Sequence, residues 1–410
     1  MSMRRALFYL FRDRGKRDIT KPSLCARRLT NSASMAPPKE VFTLNFVGDV
    51  MLGRLIDQLL PTHVDEPSEA RIIQNVRRLK PSLRDYSAES PWGNTLSLLK
   101  LGSLNIVNLE TSVTTHPVPW PDKVFNYRMH PANISALKAA GITYVSLANN
   151  HTLDFSVEGL VETVDTLASN NIQFAGAGRS AAEAQQPAVV PLILWSRLES
   201  RTSNHTVDIF SASDHPRGWG SVPSFHLIDY TTQTKARLKN LITSHNAKSP
   251  SSLRIFSVHW GPNYAWQPSA EIRDMAHFLI DECGIDIVHG HSSHHVQGIE
   301  RYGGKLIIYG CGDFVDDYAL MPEYRNDLSA VWRVYVEEVD SAEEGEEKKG
   351  LKLRRLEIWP TRIKDFQVNL LETKDPDHEW VRKKITSLSQ GNGMKGLQFL
   401  EKDGQLVVEL

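Results

Sequence analysis

Six side chains of the kinds that bind metal ions fall at the ends of apolar, strand-like segments. Asp49 closes VFTLNFVGD, Glu110 closes LNIVNLE, and Asn150 closes YVSLANN with His151 next to it. His259 closes LRIFSVH, and His291 and His294 come with GIDIVHGH. In α/β proteins the carboxyl ends of strands converge on one edge of the sheet, so residues distant in sequence can meet there. Carboxylates, an amide and imidazoles together are the oxygen and nitrogen donors that two divalent ions would take, with Mn, Fe, Zn or Mg all compatible.

Each motif also has a plainer explanation. Gly48 predicts a tight turn that presents Asp49, but an Asp after a strand can equally cap the next helix. Glu110 precedes a loop, where a carboxylate can bridge two cations or simply stand at an exposed strand end. The Asn149-Asn150-His151 run is sharper. An amide oxygen binds metal without adding charge, and a neighbouring His can reach a substrate oxygen. Capping of a helix that starts near Ser156 accounts for just one of those three residues. His151, Asn149 and Asp154 are therefore the candidate catalytic group. His289 is expected to pack within its strand, and His295 could stand in for a neighbour. Asp154 and Asp313 are candidates to accept the second N–H of a histidine.

The elements that must position these residues alternate along the chain. Strands are expected over VFTLNFVGD, LNIVNLE, TYVSLANNH, AVVPLILW, LRIFSVH, DIVHG and KLIIYG, with shorter QFAGA. Helices are expected within 52–103 and over PANISALKAAGI, SVEGLVETVDTLASNN, TQTKARLKNLITSHN and AEIRDMAHFLIDECG. That alternation implies crossover units on a central sheet. Residues 41–330 form the main domain on this reading. Residues 331–410 continue it with two antiparallel strands around a charged loop, an amphipathic helix and a closing hairpin.

The 410 residues are 41% hydrophobic, enough for a substantial core. Forty-seven basic residues balance 48 acidic ones, so no overall field selects nucleic acid or an anionic membrane. No apolar run is long enough to span a bilayer. Cys25, Cys283 and Cys311 are too few for a disulfide framework and fit an intracellular, cytoplasmic setting. The first forty residues hold ten Lys/Arg and three Asp/Glu. They read as a disordered tail, as an extension upstream of a start at Met35, or as a mitochondrial targeting segment, against which Asp13 and Asp18 count. No phosphate-binding Gly-rich loop is present, which disfavours ATP-driven ligation.

The ordered set GDVMLGR, NLE, SLANNHTLD, VHWG, GHSSH with VQGIE, and IYGCGDF resembles the poly-γ-glutamate capsule synthesis CapA family, a branch similar to calcineurin-like metallophosphoesterases. The tail from RRLEIWPTRIKDFQVN resembles that family's C-terminal portion. The resemblance implies a four-layer α-β-β-α sandwich of the metallophosphoesterase type with a C-terminal strand, helix and hairpin extension. It makes Asp49 a ligand of one metal, Glu110 the bridge, Asn150 and His259 ligands of the second metal, and His291 and His294 the completing pair. His151 would stand near the scissile group. The phosphoesterase pattern has His where Met51 stands and Asp where Glu110 stands. The CapA family shows Pro where Ser293 stands and Asn where Asp313 stands.

The activity implied is a metal-dependent hydrolase of phosphoester or acyl-type bonds, with two divalent ions and a bridging hydroxide. His151 would stabilise developing charge or protonate the leaving group. Arg54, Lys123 and Arg128 are candidate anion-binding residues, and Trp260, Tyr264 and Trp266 candidate walls, for an anionic small molecule or polymer. For all six, a solvated face or a core position explains them equally well. Two other readings stand beside the hydrolase: a non-hydrolytic protein that binds or helps assemble an anionic polyglutamate-like polymer, and a metal-stabilised scaffold without turnover.

Overall fold

Strands that are apolar on both faces must be covered on both faces, and this sequence supplies several. Along Val41–Val50, Phe42, Leu44 and Phe46 enter one core while Val47 and Val50 enter another. Along Leu253–His259, Ile255 faces that same first core and Phe256 and Val258 a third. The computed structural model describes residues 40–195, 200–343, 346–390, 399–402 and 405–410. The basic segment up to residue 39 with Cys25, the tip of the charged hairpin and the turn of the closing hairpin lie outside the described residues.

Two sheets result. The ten-stranded one runs in the order Phe399–Lys402, Gln405–Glu409, Glu346–Lys364, Leu328–Glu343, Val41–Val50, Leu104–Leu109, Tyr144–Ser146 and Gln173–Ala175. Asp313–Val315 also pairs with Val41–Val50, and Gln367–Leu370 with Glu346–Lys364. The six-stranded sheet runs Ile299–Tyr302, Lys305–Ile308, Ile287–His291, Leu253–His259, Ser200–Ser213 and Ala188–Trp195. In both, the strands that lead to the candidate ligands lie parallel to one another, so their carboxyl ends share an edge.

Between the sheets, Phe42, Leu44, Ile106 and Tyr144 meet Val190, Ile209, Ile255 and Ile287. Outside the first sheet, Val107, Leu109 and Val145 pack on Leu160, Val164 and Leu167 of the helix Ser156–Ser169. Outside the second, Phe210, Phe256 and Val288 pack on Leu238 and Ile242 of Thr232–Lys248 and on Ile272, Met275 and Leu279 of Ala270–Asp281. Thr231 and Ser269 cap those two helices with side-chain oxygens. The order helix, sheet, sheet, helix is the four-layer sandwich. The C-terminal helix Pro376–Gln390 sends Val381 and Ile385 into the inter-sheet core. No helix among the described residues is long and apolar enough to cross a membrane.

The structure differs from the sequence reading in three places that matter. The strand leading to Asn150 is only Tyr144–Ser146, so Asn149, Asn150 and His151 sit on the turns that follow. Ser200–Ser213 is a 14-residue strand that polar SRTSNHT did not suggest. Its polar half forms a hairpin with Ala188–Trp195, where pairing rather than apolar content specifies the strand.

Gly48 does not make a turn, because the strand runs through it to Val50. It is required for a close approach: a Cβ there would lie 1.8 Å from the Gly312 carbonyl oxygen, beside the bond from Asp49 N to that oxygen at 3.1 Å. Both neighbours are backbone and cannot rotate away. Gly48→Ala should therefore cost about 3 kcal/mol of stability, read as a lower urea midpoint at unchanged slope. A midpoint equal to wild type would show that the approach is not as tight as described.

Candidate metal centre

Asp49 lies where three strands meet. Its strand pairs with Leu104–Leu109 on one side, and Asp49 stands opposite Asp313 on the other. Asn108 of the first neighbour donates to Asp49 Oδ1 at 2.7 Å. Across the sandwich, His259 and His291 are in register on adjacent parallel strands, which brings their Nδ1 atoms within 2.9 Å. Two groups of ligand atoms form, each within 4.8 Å: Asp49 with His259 and His291, and Asp49 with Glu110, His294 and Asp313. All six residues are buried.

Asp49 is thus common to both groups. Glu110 belongs with His294, yet its Oε1 is also 4.0 Å from His259 Nε2. His291 Nδ1 is 4.0 Å from Asp49 Oδ1, and His294 Nδ1 is 3.8 Å from Asp49 Oδ2. Neither carboxylate is confined to one side of the site. Asp313, expected as a histidine partner, meets His294 Nδ1 at 2.8 Å, and it is also close enough to share a cation. Met51, where a phosphoesterase has His, is fully buried and hydrogen-bonded through its backbone to Val315.

The donor set fits cations. Asp49 Oδ2, Glu110 Oε1 and Asn150 Oδ1 are among the buried polar atoms without a hydrogen-bond partner, and these three are oxygens at the candidate site, of the kind a cation takes. Burial, followed by the charge of Asp49, pushes the Glu110 and Asp313 carboxyls well above the usual carboxylate range. Burial likewise raises Asp49. Burial, followed by neighbouring imidazoles, pushes His259 and His291 well below the usual imidazole range. Neutral imidazoles are the form that ligates metal, and in these crowded buried carboxyls the pull of His294 on Asp49 and Glu110 does not offset burial. The loop after His291 is held under backbone strain, with Ser292 at φ 94° and His294 at φ 62°.

His151 is built differently from the ligands. Its Nδ1 is 2.6 Å from Asp154 Oδ2, and its ring stacks on Tyr127 with centroids 4.0 Å apart. Lys123 pairs with Asp154 at 2.5 Å. Asp154 therefore orients His151 and does not itself enter the cleft. Asn149 is fully buried and spends its amide on Asn108 Oδ1 and the Leu109 carbonyl, while its oxygen accepts from His151 N. Its place is that of a brace tying the Asn150–His151 turn to the strand of Asn108.

A cleft of about 580 Å³ opens over the cluster, lined by Asn150, His151 and His294, and also by Arg54, Lys123, Tyr264 and Tyr318. The sequence reading of Arg128 and Trp260 as cleft residues is corrected. Arg128 donates to the His116 carbonyl and lies over the Phe155 ring. Trp260 is buried and donates to the Tyr309 carbonyl. Trp266 packs in an aromatic group with Tyr324, His295 and Trp380. His295 is drawn there, away from the ligands. His289 packs in the core, bonded to Ser257 and the Val47 carbonyl, with its pKa pushed down to about 4 by burial. Arg54 faces Asp317 at 3.5 Å, so both cleft cations already have an acid partner.

Asn108, Tyr318 and His215 were not singled out from the sequence. Tyr318 OH donates to Glu110 Oε2 at 3.2 Å, and the His215 ring is 4.9 Å from that of His259. Asn108 is the penultimate residue of the apolar strand Leu104–Leu109, where a polar side chain inside an otherwise apolar run was the available signal.

Two outcomes follow for metal binding. Asn108→Ala, which frees Asp49 Oδ1, should weaken divalent affinity about 10- to 100-fold in a chelator competition. Because raised carboxyls hold protons that a cation must displace, binding near neutral pH should release protons, and the release should shrink as pH rises through those raised values. Titration calorimetry in buffers of different ionisation enthalpy reads this directly. Since His259 and His291 are already neutral, Glu110→Gln should reduce the release; an unchanged value would place the protons elsewhere.

Comparison with known proteins agrees with the motif order. Residues 43–318 match the family described as bacterial capsule synthesis protein PGA_cap. The chain is 33% identical over 379 residues to a probable polyglutamine synthesis accessory protein of Mycobacterium tuberculosis, covering 88% of this chain and 94% of that one. It is 25% identical over 281 residues to the PGA biosynthesis protein CapA of Bacillus subtilis, covering 68% and 64% respectively. Among solved structures, a phosphatase from Mycoplasma pneumoniae aligns with a TM-score of 0.37 at 14% identity, covering 77% of this chain and 95% of that one. A calcineurin-like phosphoesterase from Bacillus subtilis aligns with a TM-score of 0.36 at 11% identity, covering 82% and 89%. The ordered motifs, the family match across most of the chain and the near-full-length relative lead to one conclusion: this protein belongs to the bacterial capsule synthesis PGA_cap family.

Proposed function

We propose that this chain is a metal-dependent hydrolase with a centre for two divalent ions, acting on a phosphoester or acyl-type bond of an anionic substrate. The observation that carries the reading is the trio of buried, unpartnered oxygens on Asp49, Glu110 and Asn150, set among imidazoles that burial keeps neutral. Glu110, His294 and Asp313 would hold one ion and His259, His291 and Asn150 the other, with Asp49 within reach of both. Bound there, the ions would polarise an oxygen of the scissile group and acidify a water.

The remaining chemistry belongs to the protein. Asp154 fixes the His151 tautomer with the proton on Nδ1, leaving Nε2 as the nitrogen that can exchange a proton in the cleft. From that position His151 can take a proton from an attacking water and deliver it to a leaving oxygen. Tyr127 stacks on the ring and keeps it from turning. Lys123, shared between Asp154 and His151, balances the charge behind it.

A second reading keeps the metal site and removes turnover: a protein that binds or helps assemble an anionic γ-glutamyl polymer. The buried Met51 in the place of a phosphoesterase His favours it, as do relatives named as a polyglutamine synthesis accessory protein and a PGA biosynthesis protein.

Metal content and aryl-phosphate turnover, measured on the same tag-free sample, separate the two. About two ions per chain are expected, with turnover that His259→Ala abolishes together with metal. His151→Ala should keep the metal and lose about 10²- to 10⁴-fold in kcat. Full turnover in His151→Ala would remove the proton-carrier role, and metal without any turnover would favour the polymer-binding reading.

A further inference from the structure

The cleft has a mouth of different chemistry from its floor. Below are Asn150, His151 and His294; at the rim, Val124 and Phe125 come from one loop and Met321 from another. Val124 is 85% exposed, Phe125 62% and Met321 39%. Val118 and Leu320 lie on the same two loops, so these loops carry five of the eleven large apolar side chains left exposed among the described residues. Single exposed hydrophobes need no explanation, but Val124, Phe125 and Met321 border one cleft and are placed to meet what enters it. What faces it is set by the cleft itself. The apolar rim and the reacting side chains border one volume of about 580 Å³, the size of a small-molecule site.

Both loops are fixed to the site at their bases. Lys123, which reaches His151 Nδ1 at 3.2 Å, also donates to the Phe125 carbonyl at 2.7 Å, holding the bend that carries Val124 and Phe125. Asn126 closes the same bend on the Lys123 carbonyl. On the other side, Tyr318 is bonded to Glu110, and Asn326 accepts from Met321 N at 2.7 Å and donates to the Ala319 carbonyl at 3.2 Å. The apolar rim therefore stands at a set position relative to the chemistry. Arg54 and Lys123, the two cations of the cleft, are each matched by an acid, which leaves selection of the substrate's outer part to apolar contact.

We propose that the cleft takes an amphiphilic substrate: an anionic phosphoryl or carboxyl group on the floor, joined to an alkyl or aryl group that lies against Val124, Phe125 and Met321. This rests on the hydrolase reading for the place of the reacting group, and it departs from a uniformly hydrophilic polymer as the preferred ligand.

Titration calorimetry of the manganese-supplemented full-length protein with methyl-, butyl- and hexylphosphonate tests it, with 1-hexanol as the headless control. Wild type should bind hexylphosphonate roughly tenfold or more tighter than methylphosphonate, since each buried methylene adds to the transfer free energy. The combined variant Val124→Ser, Phe125→Ser and Met321→Ser, all exposed positions, should lose most of that gain. A series flat in chain length, absence of phosphonate binding, or hexanol binding as tightly as hexylphosphonate would each overturn the proposal. Because binding is read without turnover, a chain-length gain in an inactive protein removes only the hydrolase reading. A flat series in an active protein removes only this one.

Discussion

The centre of this molecule is organised by a charge problem. Asp49, Glu110 and Asp313 are brought together as buried side chains beneath the cleft, and each ionised carboxylate so placed costs on the order of several kcal/mol unless something compensates it. The protein offers little compensation of its own. Asn108 satisfies one oxygen of Asp49 and Tyr318 one oxygen of Glu110, and the opposite oxygen of each is left unpartnered. Of the imidazoles around them, burial keeps His259 and His291 uncharged, and His294, against Asp313 and Asp49, draws the Asp49 and Glu110 carboxyls back down. A fold that gathers three acids around a single histidine partner has a place for cations from outside.

The architecture that creates this problem is also what makes it solvable. Strands parallel within each sheet end on a shared edge, and sheet-to-sheet packing brings the His259 and His291 edge against that of Asp49 and Glu110. Close approach of the strands fixes the distances, as at Gly48 against Gly312 and at Gly290, where a Cβ would meet the Tyr309 carbonyl oxygen at 2.1 Å. Backbone strain occurs in the same region, where Arg54, Tyr264, Ser292 and His294 all have positive φ. Such conformations persist only where surrounding structure enforces them, which here includes the His294–Asp313 bond and the packing around Tyr264.

Much of this was legible in the sequence because the ligands sit beside apolar strand segments whose period and length are unmistakable. Val41–Val50, Leu104–Leu109 and Leu253–His259 fall where their patterns put them. What was not legible depends on partners in space. Ser200–Ser213 owes half its length to hairpin pairing, and nothing in SRTSNHT announces that. Asp313 was legible as a histidine's partner, which His294 is, but its place opposite Asp49, like that of Asn108 beside it, comes from register. Trp260 and Arg128 look like cleft residues on a line of text, but a core contact and a backbone carbonyl claim them. Asn149 has the type of a reacting group and the connections of a brace.

The measurement that bears most directly on this account is anomalous X-ray diffraction from crystals grown with manganese. The account predicts two anomalous peaks flanking the Asp49 carboxylate, one toward Glu110, His294 and Asp313 and the other toward His259 and His291. No peak at Asp49, or a single peak held by other residues, would contradict the claim that these buried acids are built to hold a pair of cations.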